Sequence, residues 1–344
     1  MKTSTHPSPE GGNITTITTL GSHSALNILR GAKDEGFPTH LVCQRQRTFY
    51  ERFGVADAIE YVDDLASYLQ TAPSTLPDDA VMVPHGSFIS YLSLDFIEQD
   101  FNVPLVGNKY LFKWESDRTL ERRWLEDAGI PFPRVYDTPG EIDGPAIVKL
   151  FGAKGGQGYF VANSSRDFHE RAGNLEGGYQ IQEYIIGVPL YFHFFYSPLS
   201  DELELLSIDK RYESNIDGIG RIPAADQPAL GIRPSYTVVG NFPVVVRESL
   251  LEQVFDIGER VVAASRTISP KGLIGPFCLE TICTSDMEIV TFEISARIVA
   301  GTNPFVPSSP YTYFKYGKDI SCGRRIAMEI RDALATESME EVTT

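Results

Sequence analysis

The chain has 344 residues, of which 42% are hydrophobic and 22% charged, and its formal net charge is −16. That length calls for two or three lobes rather than one core, and so acidic a chain does not suit the phosphate backbone of nucleic acid, so no nucleic-acid partner is expected. No stretch approaches the ~18 apolar residues that span a bilayer, and the polar start "MKTSTHPSPEGGN" does not read as a signal peptide, so a cytoplasmic protein with no membrane partner is expected.

Residues 1–13 read as a disordered tail. "NITTITTLG" is rich in β-branched residues and predicts a strand, followed by a helix over "SHSALNILRGAKDEG" with serine caps and a stop at Gly36. "THLVCQ" and "AVMVP" predict strands, "HGSFISYLSLDFIEQ" a helix and "VPLVG" another strand. This alternation over 14–115 argues for a doubly wound, Rossmann-like parallel sheet. Ligands sit in such sheets where strand C-termini meet helix N-termini. The loops "GSHS" (21–24) and "PHGS" (84–87) fall at two such junctions, each with a histidine, a glycine and a serine. Alone, either serine reads as a plain N-cap; together the loops point to a phosphorylated ligand.

An amphipathic helix, "ESDRTLERRWLEDAG", leads into a second lobe over 116–195. There "IPFPRVY", "PAIVKLF", "GYFVAN", "YQIQEYIIG" and "VPLYFHFFYSP" read as antiparallel strands. A third unit over 196–344 continues with "ELELLSIDKRYE" and the hairpin "FCLETICTSDMEIVTFEIS". The four cysteines, Cys43, Cys278, Cys283 and Cys322, make no Cys-x-x-Cys pair and predict neither a zinc site nor a disulfide framework. The aromatic runs "YFHFFY" and "PYTYFKYG" fit a core or a subunit interface equally well.

Three stretches carry chemistry. "VKLFGAKGGQGYF" fits neither the Walker loop nor the dinucleotide fingerprint, since its last glycine leads into a strand. Lys149 interrupts an apolar strand and needs an anion, either Glu183 or a nucleotide phosphate. Lys154 sits on the glycine loop, whose backbone N–H groups suit phosphate oxygens. In "IQEYIIG", Gln182, Glu183 and Tyr184 suit a purine held by backbone groups, with a carboxylate near ribose hydroxyls. In the hairpin, a two-residue turn at Ser285-Asp286 pairs Glu280 with Thr291 and Cys278 with Glu293. The two glutamates are then diagonal neighbours on one face, beside Arg297, with Phe277, Leu279, Val290, Phe292 and Ile294 on the opposite, core face. Two carboxylates next to a phosphate site suit Mg²⁺ or Mn²⁺, and Arg297 suits a phosphate or acyl phosphate oxygen.

Lysine strand, glycine loop, purine-holding strand and paired glutamates occur in the order found in the ATP-grasp superfamily, which this chain resembles. "TLGSHSALNILRGAKDEGF", "PHGSF", "VKLFGAKGGQGYF", "IQEYIIGVPLYFHFFYSPL", "VVGNFPVVVRESLL" and "FEISARIVAGTNPF" narrow the resemblance to the archaeal PurP family, from about Ile14 to about Arg331. The resemblance implies an ATP-grasp fold behind the N-terminal domain. It implies an ATP-dependent ligase of purine (IMP) biosynthesis that formylates AICAR (5-aminoimidazole-4-carboxamide ribonucleotide) with formate, through formyl phosphate, to FAICAR. It assigns ATP to Lys149, Lys154, Gly155, Gly156, Gln182, Glu183, Tyr184 and Glu213, AICAR to His23, Ser87 and Asn241, and metal to Glu280 and Glu293, with Lys149, Lys154 and Arg297 assisting catalysis. It implies a homo-oligomer and a glycine loop that closes over the reaction. Phe151 departs from the basic or polar residue of many members. The same motifs fit a paralogue joining another small acid to another amine-bearing nucleotide, or a non-catalytic nucleotide sensor.

Overall fold

The computed structural model describes residues 15–71, 76–150, 159–173, 178–232 and 235–344. The tail expected over 1–13 and the glycine loop with Lys154, Gly155 and Gly156 lie outside the described residues.

The N-terminal unit runs β1 (Thr16–Leu20), α1 (Ala25–Asp34), β2 (Thr39–Gln44), β3 (Ala58–Val62), α2 (Leu65–Thr71), β4 (Ala80–Met82), α3 (Gly86–Tyr91) and α4 (Leu94–Gln99). Its strands are parallel, in the order β3-β2-β1-β4. β1 and β2 are buried almost throughout, the pattern of strands covered on both faces. The chain winds outward from β1 to β3 and then returns past β1 to β4, so the switch point lies between β1 and β4, the two strands that end in the histidine loops.

Local chemistry differs from expectation at three places. "HGSFISYLSLDFIEQ" is two short helices, because Leu92 is extended and Ser93 starts α4, its side chain accepting from the Phe96 N–H at 3.3 Å. "VPLVG" makes only isolated bridges, Leu105 with Met82 and Val106 with Thr343. "AIEYV", not anticipated as a strand, forms the sheet edge and is mostly half-buried.

α5 (Phe112–Ser116) and α6 (Arg118–Ala128) follow. Asp117 caps α6 by accepting from the Thr119 and Leu120 N–H groups, and Gly129 ends it in the left-handed region at φ 60. β5 (Val135–Tyr136), β6 (Ala146–Leu150), β7 (Tyr159–Ala162), α7 (Ser165–Ala172) and β8 (Tyr179–Glu183) make an antiparallel sheet in the order β5-β8-β6-β7. The last sheet comes from β9 (Val188–Ser197), β10 (Glu202–Glu213), β11 (Val238–Val244), β12 (Gly275–Cys283) and β13 (Ile289–Ser295). It is antiparallel, in the order β11-β10-β9-β12-β13. Two helical turns, α8 (Ile216–Ile219) and α9 (Gln227–Leu230), precede β11, and α10 (Leu251–Ile268) follows it. The chain closes with α11 (Pro310–Tyr316), α12 (Cys322–Ala335) and α13 (Met339–Val342).

The main core lies under β9 and β12. Phe194 and Phe277 stack at 5.1 Å, and Trp124 of α6 joins them, none more than 1% exposed. Each such aromatic contributes about 1.5–3 kcal/mol by burial. "YFHFFY" is therefore core, whereas Phe314 of "PYTYFKYG" is 79% exposed. All four cysteines are free and buried. α12 crosses α1 at two glycines: a Cβ on Gly31 would lie 2.0 Å from the Arg324 nitrogen, and one on Gly323 2.1 Å from the Asn27 oxygen. That crossing ties the C-terminal helix to the helix that follows His23.

Candidate functional site

The β12–β13 hairpin sets the carboxylates, and its register differs from the sequence count. The loop has three residues: the Thr284 N–H donates to the Glu288 oxygen at 2.9 Å, and Met287 is left-handed at φ 65. A two-residue turn favours glycine or asparagine in the left-handed region, which Ser285-Asp286 lacks, so the longer loop wins. A β-bulge at Phe292, between the pairs Thr281↔Thr291 and Glu280↔Glu293, adds one more residue to β13. Glu280 therefore faces Glu293 and Cys278 faces Ser295, rather than Thr291 and Glu293. The glutamates are directly opposite, not diagonal, with Cβ atoms roughly 4.5–5.5 Å apart in such a pair. The bulge also turns Phe292 out of the expected core face, to pack on Tyr191, Cys278 and Val299.

These glutamates lie in the wall shared by two cavities. The larger, about 780 Å³, is lined by Lys149, Gln182, Tyr184, Arg211 and Glu213 as well as the glutamates. Lys149 Nζ donates to Gln182 Oε1 at 2.8 Å, so its partner is Gln182, not Glu183. Burial and the neighbouring charge of Arg118 push the Lys149 ammonium down. Glu183 does not line the cavity; its Oε2 accepts from the Arg134 N–H at 3.2 Å. The Glu183 and Tyr184 N–H groups, expected to meet a purine, donate instead to the Arg134 and Pro145 oxygens. Those N–H groups extend the pairing of β8 with its neighbours β5 and β6, while alternation along β8 turns the Glu183 side chain to the face opposite Gln182, away from the cavity. Burial pushes the Glu213 carboxyl up.

The acidic wall is crowded. Glu280 is 2% exposed, and burial, then the charge of Glu293, pushes its carboxyl up to about 7 against the pull of Arg211, which pairs with it. Arg211 also lies over the Tyr191 ring at 4.1 Å. Glu121 accepts from the Ile294 N–H at 2.8 Å, and burial, followed by Glu293, holds it well above the carboxylate range. Glu280 Oε2 is buried without a hydrogen-bond partner among the described residues. An unpartnered buried carboxylate oxygen opposite a second carboxylate fits a divalent cation. Among the described residues no group of three or more His, Cys, Asp or Glu could hold a metal by itself, which suits an ion that takes one or two carboxylates and finds its other ligands on phosphates and water.

The smaller cavity, about 260 Å³, is lined by His23, His193, Asp209, Asn241 and Arg297 and shares Glu280 and Glu293 with the first. Arg297 is held at 3.1 Å by Glu115, which also accepts from the Ala296 N–H at 2.6 Å. The His23 ring lies 4.8 Å from that of His85 and its Nδ1 2.8 Å from Ser24 Oγ, which leaves Ser24 without the side-chain cap expected of it. His23 borders open solvent, yet the packing around its ring, with the charges of His85 and Arg297, pushes it down to about 3, so it is neutral at pH 7. His85 is fully buried; its Nε2 lies 2.9 Å from the Leu20 oxygen, and its Nδ1 accepts from the Ser87 N–H at 3.3 Å. Burial brings His85 down to about 4, in keeping with a neutral ring protonated on Nε2. Gly86 makes this crowding possible: a Cβ there would lie 3.1 Å from His23 Nε2 and 3.2 Å from Arg297. Ser87 Oγ is 2.6 Å from Ser22 Oγ, beside the cavity rather than in its lining.

The structure thus brings Lys149, Gln182, Tyr184, Glu213, Glu280 and Glu293 to one cavity, and His23, Asn241 and Arg297 to its neighbour. Sequence reasoning missed Arg118, Glu121, Glu115, Arg211, His193 and Asp209. One signal was present: Asp209, Arg211 and Glu213 recur at every second position of β10 and so share a face.

Residues 174–344 match a family model described as a domain of unknown function (DUF1297), and residues 17–136 match one described as a protein of unknown function (DUF1246). A 5-formaminoimidazole-4-carboxamide-1-(beta)-D-ribofuranosyl 5'-monophosphate synthetase of Pyrococcus horikoshii is 52% identical over 341 residues, covering 95% of this chain and 99% of the relative. The crystal structure of an IMP biosynthesis protein PurP from Thermococcus kodakaraensis superposes with a TM-score of 0.78 at 34% identity, covering 95% of this chain and all of that one. The biotin carboxylase domain of a Hydrogenobacter thermophilus 2-oxoglutarate carboxylase, in complex with MgADP, shares the fold at a TM-score of 0.64 and 14% identity, over 92% of this chain and 70% of that one. The fold is ATP-grasp.

Proposed function

The chain belongs to the PurP family of 5-formaminoimidazole-4-carboxamide ribonucleotide synthetases, and from that premise we propose how its two cavities divide the reaction. The enzyme is an ATP-dependent ligase of IMP biosynthesis that converts AICAR and formate to FAICAR. The larger cavity takes ATP and the smaller takes AICAR. They meet at Glu280 and Glu293, and the unpartnered Glu280 Oε2 in that shared wall is the observation that carries the assignment.

Lys149, steadied by Gln182, binds the ATP phosphates, with Tyr184 and Glu213 along the nucleotide. Lys154, Gly155, Gly156 and Glu183 keep their ATP roles from the family resemblance alone. Glu280 and Glu293 would hold Mg²⁺ or Mn²⁺, which when bound neutralises charge on the transferring phosphoryl group. A formate oxygen attacks the γ-phosphorus, and the bond to the β-bridging oxygen breaks, giving formyl phosphate and ADP. Arg297, fixed by Glu115, faces the acyl phosphate oxygens across the shared wall. The 5-amino nitrogen of AICAR then attacks the formyl carbon, the bond from that carbon to the phosphate oxygen breaks, and the departing phosphate takes the proton the amine releases. His23 is neutral at working pH, so it orients AICAR by hydrogen bonding rather than by charge, with Ser87 and Asn241 beside it.

The lobe boundaries at 115 and 195 stay part of this proposal; the pairing of β9 along its length with β10 and β12 supports drawing the second one earlier, near Gly187. A homo-oligomer and a cytoplasmic location belong to the same proposal; among the described residues no helix is long and apolar enough to cross a membrane. The test is to mix the protein with Mg²⁺-ATP, AICAR and formate and to measure ADP and formylated product. Stoichiometric formation of both supports the proposal; ADP release independent of AICAR and formate overturns it.

A further inference from the structure

One buried carboxylate stands behind the acceptor cavity and holds two of its wall residues. Asp209 of β10 is 1% exposed. Its Oδ1 lies 2.6 Å from His193 Nε2, and its Oδ2 accepts from Asn241 Nδ2 at 2.7 Å. All three side chains line the 260 Å³ cavity. Gly301 closes the back: a Cβ there would lie 2.1 Å from Asp209 Oδ1 and 2.6 Å from His193 Cε1, so only a glycine lets the chain press against the pair.

A carboxylate accepts and does not donate, so it dictates which atoms its neighbours turn toward it. His193 must carry its proton on Nε2, and Asn241 must turn its NH₂ to Asp209. With a neutral imidazole, the atoms left over, His193 Nδ1 and Asn241 Oδ1, are both acceptors. His193 is 2% exposed, and its Nδ1 has no hydrogen-bond partner among the described residues. Leaving such a buried acceptor unmet costs about 1–3 kcal/mol, which a ligand N–H would recover.

We propose that Asp209 is a positioning residue that makes this wall of the cavity a pair of acceptors, through His193 and Asn241, so that the site selects an acceptor substrate by its N–H donors. This rests on the assignment of AICAR to the cavity, and the group selected is its 5-amino group. The amine is then recognised before it reacts, with its lone pair left free for the formyl carbon because its hydrogens are held by acceptors.

The test measures binding by calorimetry of AICAR and of the same ribonucleotide with hydrogen in place of the 5-amino group. The wild-type chain is expected to prefer AICAR by about 10-fold or more. Asp209→Asn, which lets either neighbour flip, is expected to cut that preference to about 2-fold while ATP binding stays unchanged. Asn241→Leu, at a half-buried site, carries the same test should Asp209→Asn fail to fold. An unchanged preference in a folded variant, an equal loss for both ligands, or no preference in the wild type overturns the inference. Absence of AICAR binding to the wild type overturns the functional assignment instead.

Discussion

The N-terminal sheet and the C-terminal sheet both supply the site, but in different ways. The N-terminal sheet contributes from loops: His23 and Ser87 stand just past β1 and β4, where the parallel sheet opens at its switch point. The C-terminal sheet contributes from strand faces: Asp209, Arg211 and Glu280 project from β10 and β12, and the exposed Glu293 from β13 beside its bulge. Loops at helix starts present polar atoms and neutral rings at modest cost. Buried carboxylates and guanidinium groups need a rigid frame that keeps each charge against its partner, since an uncompensated buried charge is far more expensive. On the proposed assignment the strand-borne glutamates govern turnover, whereas acceptor binding is shared between the histidine loops and the strand residues Asp209, His193 and Asn241.

The sharpest way to break that division is Glu293→Gln. Turnover is expected to fall by about 10³-fold, the upper end for loss of a preorganised electrostatic group, while the AICAR dissociation constant holds within about 2-fold; unchanged turnover would remove the metal assignment. Next, Glu115→Gln keeps an acceptor for the Ala296 N–H but removes the charge that fixes Arg297. We expect kcat to drop by about 10²-fold with little change in the KM for AICAR, checked by steady-state kinetics. On the loop side, His23→Ala should raise the KM for AICAR by about 10-fold, the worth of one hydrogen bond, with kcat nearly intact. A kcat loss rivalling that of Glu293→Gln would erase the distinction.

The smallest effect concerns pH. His85 falls to about 4 in the folded chain from its ordinary 6.5, so the folded state binds fewer protons than the unfolded state between those values. The His85 contribution to stability therefore rises with pH from about 4 to about 6.5 and is level above, by at most about 1.4 kcal/mol per pH unit, while Glu280, pushed up to about 7, acts in the opposite sense. His85→Asn should flatten that part of the denaturation profile in urea; a profile as steep as the wild type's would assign the slope to other groups.

Much of this was legible beforehand. The alternation of β-branched runs with amphipathic helices marked the parallel sheet, and the twin histidine loops marked its open end, because both signals are local. Lys149 betrayed itself as a charge in an apolar strand, and the two glutamates as acids in a β-hairpin. Their register was not legible. A one-residue difference in the loop and one bulge at Phe292 moved Glu293 from opposite Cys278 to opposite Glu280; the missing glycine at Ser285-Asp286 marks the longer loop, but nothing in residue type marks the bulge.

The amino-acid sequence alone determined which chemical groups this protein possesses and the change from an alternating α/β region to antiparallel strands, since these follow from composition and short-range periodicity. Only the tertiary structure decided their partners: Gln182 rather than Glu183 for Lys149, Glu115 for Arg297, Arg211 for Glu280, and Asp209 for both His193 and Asn241. The physical reason is distance along the chain. Most of these pairs join residues tens to almost two hundred positions apart, and only the packing of sheets and helices brings such groups within the few ångströms over which hydrogen bonds act and buried charges dictate each other's protonation.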